Sequence, residues 1–305
     1  MLTIPETDLV VHELCLGGNV FGWTADEHTS HQVLSAYARQ GGNFIDTADV
    51  YSEWKPGNKG GESETIIGKW LSTQDRSNFV IATKVAKLST RAGLRPENII
   101  AACNDSLRRL QTDYIDIYYS HHDDKEVPMV ETLGAYAQLI AEGKVRYIAA
   151  SQHTGARLQE ALDIAERENV PAYIALQDHY NLMEREPFES EQAAVLAKNN
   201  ISALPFYGLA RGFLTGKYRP GVTIDSVRAE GVKEYQTEKG WATITKLDEI
   251  ARAQNSSISA IALAWLRSHP QVSTPIASAR TVEQLSEIME IVHLSDLEVR
   301  MLNAL

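Results

Sequence analysis

The chain has 305 residues, of which 44% are hydrophobic and 23% are charged, so it is long enough to bury a large core. Its formal net charge of -11 at pH 7 argues against sequence-independent binding to nucleic acid or to an anionic membrane, because both need a basic surface. The sequence has no signal-peptide pattern and no apolar run of about eighteen residues. We therefore expect a cytoplasmic protein that binds neither nucleic acid nor membrane.

Short runs with high β propensity alternate along the chain with longer segments of helical period. The predicted strands are ELCLG near 13, NFIDT at 43, FVIATK at 79, YIDIYYS at 114, VRYIAAS at 145, YIALQ at 173, ISALPF at 201 and VSTPIA at 272. Strands that alternate with helices in this way are typical of a parallel sheet.

Two of the intervening helices have a clear apolar face. In PENIIAACNDSLRRL the predicted face consists of Ile100, Cys103, Leu107 and Leu110, and Pro96 suits the first turn. In TVEQLSEIMEIV the predicted face consists of Leu285, Ile288, Met289 and Val292. Thr281 and Gln284 have the spacing of a capping box at the start of this helix.

Eight strands, each followed by a helix, with no Pro/Ser-rich linker between them, predict an α/β fold of the (β/α)8 TIM barrel type. We expect a single domain over residues 1–305. An open doubly wound sheet is the alternative. Residues 52–63 and 207–240 read as large βα loops, and loops of this length in a compact domain are usually functional.

Polar or aromatic side chains follow most of the predicted strands, where a barrel places its active face. In chain order, from the second strand to the seventh, they are Asp46 with Tyr51, Lys84, His121, Ser151 with Gln152, Gln177 and Phe206.

Several of these motifs, in this order, resemble those of the aldo-keto reductases. The matching stretches are DTADVYS, ATK, DYIDIYYSHH, LQDHYNLMER, GLARGFLTGKY and PIASARTVEQL, and they extend from about residue 12 to about residue 290. The resemblance implies that Asp46, Tyr51, Lys84 and His121 form the catalytic group of a reductase.

These four residue types suit the reduction of a carbonyl group. Hydride transfer to the carbonyl carbon produces an alkoxide, which needs a proton donor nearby, and Tyr51 can be that donor. We expect the ammonium of Lys84, held by Asp46, to make the phenol more acidic. His121, as a neutral imidazole, would orient the carbonyl group.

The sequence lacks the G-x-G-x-x-G fingerprint of an open-sheet dinucleotide site, so a barrel must bind the cofactor by other means. The resemblance implies that Ser151, Gln152 and Gln177 bind the nicotinamide carboxamide and that Phe206 stacks on the ring. Gln152 departs from the family pattern, in which Asn is usual.

The phosphates of the cofactor are assigned to two later segments. GLARGFLTGKYRPG resembles the family segment that folds over the pyrophosphate, which implies cofactor contacts from Leu209, Ala210, Gly212 and Lys217. In ASARTVEQL, Ser278 and Arg280 lie at a helix start, where a 2′-phosphate would be favoured, and this predicts NADP (NADPH) as the cofactor. The resemblance also implies that Gln284 and Glu287 contact the adenosine part of the cofactor.

Trp23 and Trp54 are candidates for the wall of a substrate site. Together these features predict an NADPH-dependent reductase of small-molecule aldehydes or ketones that uses no metal. The sequence predicts no particular oligomeric state.

Three other functions were weighed against this one. A metal hydrolase would use HHDD at 121–124 with His153 and His179, and a Schiff-base aldolase would use Lys84. A barrel that binds NADP and reports redox state to a partner, with little turnover, is the third.

Overall fold

The computed structural model describes residues 1–222, 224–225 and 227–305. Within these residues the strands are β1 (Leu2–Thr3), β2 (Val10–Val11), β3 (Cys15–Gly17), β4 (Phe44–Asp46), β5 (Val80–Val85), β6 (Ile115–Ser120), β7 (Val145–Ser151), β8 (Tyr173–Gln177), β9 (Ser202–Ala203) and β10 (Ile276–Ala277).

The last eight of these described strands form one parallel sheet in the order β10-β3-β4-β5-β6-β7-β8-β9. Its two ends meet through backbone hydrogen bonds, with the N–H of Ile276 donating to the carbonyl of Pro205 at 2.8 Å. The N–H of Ala203 likewise donates to the carbonyl of Gln271 at 2.7 Å. The sheet is therefore a (β/α)8 barrel, as predicted, and not an open sheet.

Helices surround the barrel. In the described part of the chain they are α1 (Glu27–Arg39), α2 (Glu62–Leu71), α3 (Pro96–Leu110), α4 (Met129–Ala141), α5 (Gly155–Glu168), α6 (Ala193–Asn199), α7 (Glu238–Ala253), α8 (Ile258–Arg267), α9 (Val282–Met289) and α10 (Asp296–Asn303). No helix among the described residues combines the length and the apolar character that crossing a membrane requires.

The buried face of α3 differs slightly from the predicted one. Cys103 and Leu110 are buried as expected, but Ile100 and Leu107 are only partly buried. The face that packs inward is rotated toward Ile99, because the helix contacts both α2 and α4.

Apolar residues fill two layers, as expected for a barrel. One layer lies between the sheet and the helices, and the other fills the barrel interior with residues such as Phe44, Ile117 and Leu204. The strands β5, β6 and β8 are buried along their whole length because both of their faces are covered.

A short antiparallel hairpin, β1 with β2, covers the amino-terminal end of the barrel and was not predicted. It lies at this end because Asn43, which precedes β4, donates through its side chain to the carbonyl of Val10. Ile4, Leu9 and Val11 of this segment pack into the inner layer of the core. Because the hairpin closes the amino-terminal end of the barrel, a site can form at the carboxyl ends of the strands.

Candidate active site

A cavity of about 1180 Å³ opens at the carboxyl ends of the strands. Of the predicted site residues, those that line it are Trp23, Asp46, Tyr51, Trp54, His121, Ser151, Gln152, Gln177, Phe206, Leu209, Gly212, Lys217, Ser278, Arg280, Gln284 and Glu287. The cavity therefore brings together residues from the start, middle and end of the chain. Lys84 and Ala210 are fully buried behind its wall.

Asp46, Tyr51 and Lys84 form one hydrogen-bonded group at the floor of the cavity. The ammonium of Lys84 donates to Oδ2 of Asp46 at 2.6 Å, to the phenol oxygen of Tyr51 at 2.9 Å and to the carbonyl of Thr47 at 2.8 Å. The three protons of the ammonium can all be used in this arrangement. Asp46 ends β4 and Lys84 lies near the end of β5, so two neighbouring strands fix their positions.

Asp46 is held on its other side by Gln177. The side-chain amide of Gln177 donates to Oδ1 of Asp46 at 2.9 Å, and both residues are buried. This contact was not predicted, because the resemblance assigns Gln177 to the cofactor alone. It fixes the orientation of the carboxylate and hence that of the Lys84 ammonium.

The pKa of Tyr51 moves in the direction opposite to the predicted one. Burial of the phenol and the negative charge of Asp46 raise its pKa well above the usual value of 10.0. Lys84 cannot reverse this effect, because its charge is compensated by Asp46, and burial lowers the pKa of Lys84 itself. Tyr51 is therefore fully protonated at neutral pH, and its O–H lies 3.3 Å from Oδ2 of Asp46.

His121 follows β6 and contacts the edge of the Tyr51 ring, with 6.0 Å between ring centroids. Burial and the nearby cations Lys84 and Lys87 hold the pKa of His121 well below its usual value of 6.5. Its Nδ1 is buried and has no hydrogen-bond partner among the described residues. The imidazole is therefore neutral, as predicted.

Beside these residues, the cavity wall contains Ser151 and Gln152 at the end of β7. The hydroxyl of Ser151 is buried and has no hydrogen-bond partner in the described part of the chain. Gln152 has a φ of 54°, and its side-chain amide donates to the carbonyl of His121 at 3.2 Å. The longer amide of Gln152 thus bends back onto the protein.

Phe206 lines the cavity and stacks on His179, with ring centroids 5.5 Å apart. Its neighbour Tyr207 also lines the cavity, is 37% exposed and has a φ of 54°. Tyr207 was not predicted from the sequence. The signal available in the sequence was the pair of aromatic residues at the end of a predicted strand. The sequence does not show the backbone turn that exposes the second ring.

Trp23 and Trp54 lie side by side at the mouth of the cavity near Tyr51. Their rings meet edge to face at 5.7 Å, and Trp54 meets Tyr51 in the same way at 6.0 Å. Trp54 is 46% exposed, so it presents an aromatic surface toward solvent at this mouth.

Cations line another part of the cavity. Lys217, Arg228 and Arg280 lie close enough for their charges to affect one another, since burial and then the charges of Arg280 and Arg228 lower the pKa of Lys217. Arg228 was not predicted and also lies over the Trp23 ring at 5.7 Å. In an acidic chain such a group favours a bound anion.

Arg211 also lines the cavity, and its surroundings differ from those of Arg280. Arg211 pairs with Glu234 at 2.6 Å, whereas Arg280 forms no salt bridge with any residue that the structure describes. Arg219, which lies in the GLARGFLTGKYRPG segment, does not line the cavity.

Ser278 and Arg280 directly precede α9. The hydroxyl of Ser278 donates to Oδ1 of Asn19 at 2.6 Å, and Thr281 caps the helix by accepting from the N–H of Gln284. The side-chain oxygen of Gln284 accepts from the N–H of Arg280. In the predicted capping box it would accept from the N–H of Thr281, the next residue. Gln284 and the exposed Glu287 are thus at the cavity rim. The side-chain oxygen of Gln284 already accepts the hydrogen bond from Arg280.

The segment 207–240 crosses this part of the cavity, and its residues 223 and 226 lie outside the described residues. Two short 3-10 helices, Ala210–Thr215 and Glu230–Tyr235, lie within it. Leu209 and Gly212 line the cavity, and Gly212 has a φ of 98°. Ala210 does not reach the cavity through its side chain.

The geometry gives no support to two of the alternatives. The described residues contain no group of three or more His, Cys, Asp or Glu side chains that could hold a metal ion, so HHDD, His153 and His179 do not form such a group. Lys84 is buried beneath Tyr51 and bonded to Asp46, so its amine is not presented to the cavity as a Schiff-base nucleophile would be.

Comparison with known proteins gives a consistent result. The model of the Aldo/keto reductase family matches residues 13–305. The protein tas of Escherichia coli strain K12 is 31% identical, with 95% of this chain and 92% of the relative covered. The uncharacterized oxidoreductase YrpG of Bacillus subtilis strain 168 is 32% identical, covering 98% of this chain and 94% of the relative. A putative voltage-gated potassium channel subunit beta of Schizosaccharomyces pombe is 33% identical, covering 88% and 80%.

Proposed function

The chain belongs to the aldo/keto reductase family, and we propose that it is a cytoplasmic NADPH-dependent enzyme that reduces aldehydes or ketones to alcohols. The observation that carries the proposal is the Tyr51 phenol, 2.9 Å from the buried Lys84 ammonium and beside a neutral His121, at the floor of a large cavity. This arrangement suits the donation of a proton to a carbonyl oxygen.

The residues of the cavity fit a dinucleotide with an extra phosphate. The Ser151 hydroxyl, near the catalytic group and without a hydrogen-bond partner among the described residues, would bind a polar substituent of the nicotinamide, and Phe206 would stack on its ring. Lys217 and Arg280 would bind phosphate groups. The bound NADPH would supply a hydride to the carbonyl carbon.

The four catalytic residues then have separate roles. His121 would donate a hydrogen bond to the carbonyl oxygen as a neutral imidazole and so orient it. Tyr51 would give its proton to the oxygen as the C–O double bond is reduced, and would recover a proton from solvent afterwards. Lys84 would stabilise the tyrosinate that is left, and Asp46 would hold Lys84 in place.

The test is reduction of 4-nitrobenzaldehyde, followed by the loss of NADPH absorbance. We expect the parent protein to turn over and Tyr51→Phe to lose turnover by a factor of about 100 to 10,000, the usual contribution of a general acid. Binding of NADPH, measured by fluorescence, should be nearly unchanged. A Tyr51→Phe variant that works at the parent rate would show that Tyr51 is not the proton donor.

A second function is favoured by one observation, the 33% identity to a protein named as a putative potassium channel subunit beta. In this case the chain would bind NADP and report redox state to a partner. Turnover far below the usual range of about 1 to 1000 per second over a panel of carbonyl compounds, with intact NADPH binding, would favour it. Co-purification of a stable partner would support the same conclusion.

A further inference from the structure

Lys87 is a cation of the cavity that the proposed mechanism does not use. It lies two residues beyond the end of β5, lines the cavity with Tyr51 and His121, and is half-buried. No hydrogen bond or salt bridge joins its ammonium to any other residue that the structure describes, and Lys87 is therefore unlike Lys84. A half-buried ammonium without a counter-charge loses hydration and gains nothing in return.

The backbone before Lys87 is strained. Ala86 has a φ of 114°, a region that an L-residue with a side chain rarely adopts. This conformation is held by a hydrogen bond from the N–H of Gly93 to the carbonyl of Ala86 at 2.9 Å. The strained residue turns the chain at the point where Lys87 enters the cavity, which is typical of a functional position.

Lys87 lies at the reacting end of the cavity and not among the cations assigned to phosphate. Its charge lowers the pKa of His121, whereas Lys217, Arg228 and Arg280 affect one another. A phosphate bound by those three cations would therefore leave Lys87 without a partner.

No carboxylate among the described residues forms a salt bridge with Lys87. Burial and then the charge of Lys84 lower the pKa of Lys87, and Asp178 raises it only at longer range. Lys87 and Asp178 are not within 4.0 Å, since no salt bridge joins them. The oxygens of Asp178 accept hydrogen bonds from the backbone of His179 and the side chain of Gln192.

We propose that Lys87 binds a carboxylate of the substrate, so that the favoured substrates are aldehydes or ketones that carry a carboxylate group. This inference rests on the proposed reductase function. A carboxylate matches the single charge of the ammonium, and the aromatic wall of Trp23 and Trp54 suits the carbon skeleton that joins it to the carbonyl group. Lys87 is thus a specificity-determining residue.

The test compares carboxybenzaldehydes with formylbenzamides, which have nearly the same shape but no charge. The 3- and 4-isomers of each give two distances from carbonyl to carboxylate. We expect the best acid to exceed its amide in kcat/KM by about tenfold or more, since hydrogen bonds to charged groups are worth about 1.5–3 kcal/mol. Lys87→Met should remove this ratio by lowering kcat/KM for the acid much more than kcat/KM for the amide, and Lys87→Arg should keep it. Lys125→Met, at an exposed lysine outside the cavity, is the control.

The possible outcomes separate this inference from the proposed function. Equal rates for acid and amide in the parent, or an equal loss of both in Lys87→Met, would overturn the inference while the reductase function stands. If no carbonyl compound is reduced, the inference is tested by binding instead. The affinities for 4-(hydroxymethyl)benzoate and for its amide are measured by calorimetric titration, with and without NADP. Binding of the carboxylate that is lost in Lys87→Met supports the inference, and equal or absent binding of both compounds contradicts it.

Discussion

At the scale of single residues, Lys84 connects the parts of the site. It is fully buried, and its ammonium joins the carboxylate of Asp46 to the phenol of Tyr51. A buried ammonium of this kind is tolerated because it is paired and all of its protons have acceptors. The Gln177 contact to Asp46 extends the group by one residue and restricts the carboxylate further.

The pKa shifts of Tyr51 and His121 predict a flat pH profile for reduction. Tyr51 must be protonated to donate, and this form persists up to its folded pKa, which lies well above 10.0. His121 must be neutral, and this form persists down to its folded pKa, which lies well below 6.5. We expect kcat/KM for the uncharged 4-nitrobenzaldehyde to be constant between about pH 6.5 and pH 10.

The measurement is a pH series at saturating NADPH, with the stability of the protein checked at each pH. A fall in kcat/KM with a midpoint near 6.5 would show that His121 titrates as an ordinary histidine. A fall on the alkaline side, well below pH 10, would show that Tyr51 or Lys84 loses its proton there in the complex with NADPH.

Arg280 carries the proposed preference for NADPH over NADH. Its guanidinium lines the cavity beside Lys217 and forms no salt bridge within the described residues. We expect Arg280→Ala to weaken NADPH binding by about tenfold or more and NADH binding by less than about threefold, because only NADPH carries the 2′-phosphate. Fluorescence titration of both cofactors measures this, with the exposed Arg300→Ala on α10 as control. An equal loss for both cofactors would argue against a 2′-phosphate contact.

The sequence was informative where a residue is fixed by a strand. Asp46, Lys84 and His121 could be placed together because each lies at or near the end of a strand, and strand ends meet in a barrel. Tyr207, Lys87 and Arg228 could not, because their positions depend on loop conformations. Tyr207 itself has a positive φ, and Lys87 directly follows Ala86, which has one. No side-chain pattern indicates such a backbone conformation.

At the scale of elements, α2 and α3 are in close contact at a glycine. A Cβ atom at Gly68 of α2 would lie 2.1 Å from the carbonyl oxygen of Arg109 in α3. The atom that it would meet belongs to the backbone and cannot rotate away. The helices can therefore approach this closely only with glycine at this position.

A pair of glycine substitutions tests this contact. Gly68→Ala should destabilise the protein by about 3 kcal/mol, because the two helices must move apart in a packed core. Gly134→Ala in α4, where an added Cβ meets nothing within 4 Å, should stabilise it by about 0.5–1 kcal/mol. Urea unfolding of both variants measures the difference, and a Gly68→Ala variant as stable as the parent would contradict the proposed close packing.

Elements were predicted well where their pattern is long and poorly where it is short. The eight barrel strands lie within or beside the predicted segments, but β9 and β10 contain two residues each, because the neighbouring backbone turns out of the ladder. The β1–β2 hairpin was missed because two-residue strands leave no periodicity to detect.

At the scale of the whole molecule, the barrel has a catalytic end and a structural end. The structural end is closed by the hairpin and by a group of charges around Asp116 of β6. This carboxylate is 1% exposed and accepts from Arg76 at 2.6 Å, from Arg146 at 2.7 Å and from the N–H of Ile81 at 2.9 Å. Arg146 also binds Asp8, which precedes β2 in the hairpin segment.

This separation of the two ends predicts that stability and activity can be changed independently. Asp116→Ala would leave Arg76 and the buried N–H of Ile81 without this acceptor, whereas Arg146 would keep Asp8, so we expect a loss of about 3 kcal/mol in the free energy of unfolding. Asp8→Ala removes a carboxylate whose side chain is 71% exposed, and its loss should be within about 1 kcal/mol. At 25 °C the folded fraction of either variant should keep the parent kcat, because the catalytic group lies at the opposite end of the strands. Urea unfolding and active-site titration together measure both quantities. A large fall in kcat for Asp116→Ala with unchanged stability would show that the two ends are coupled through β6.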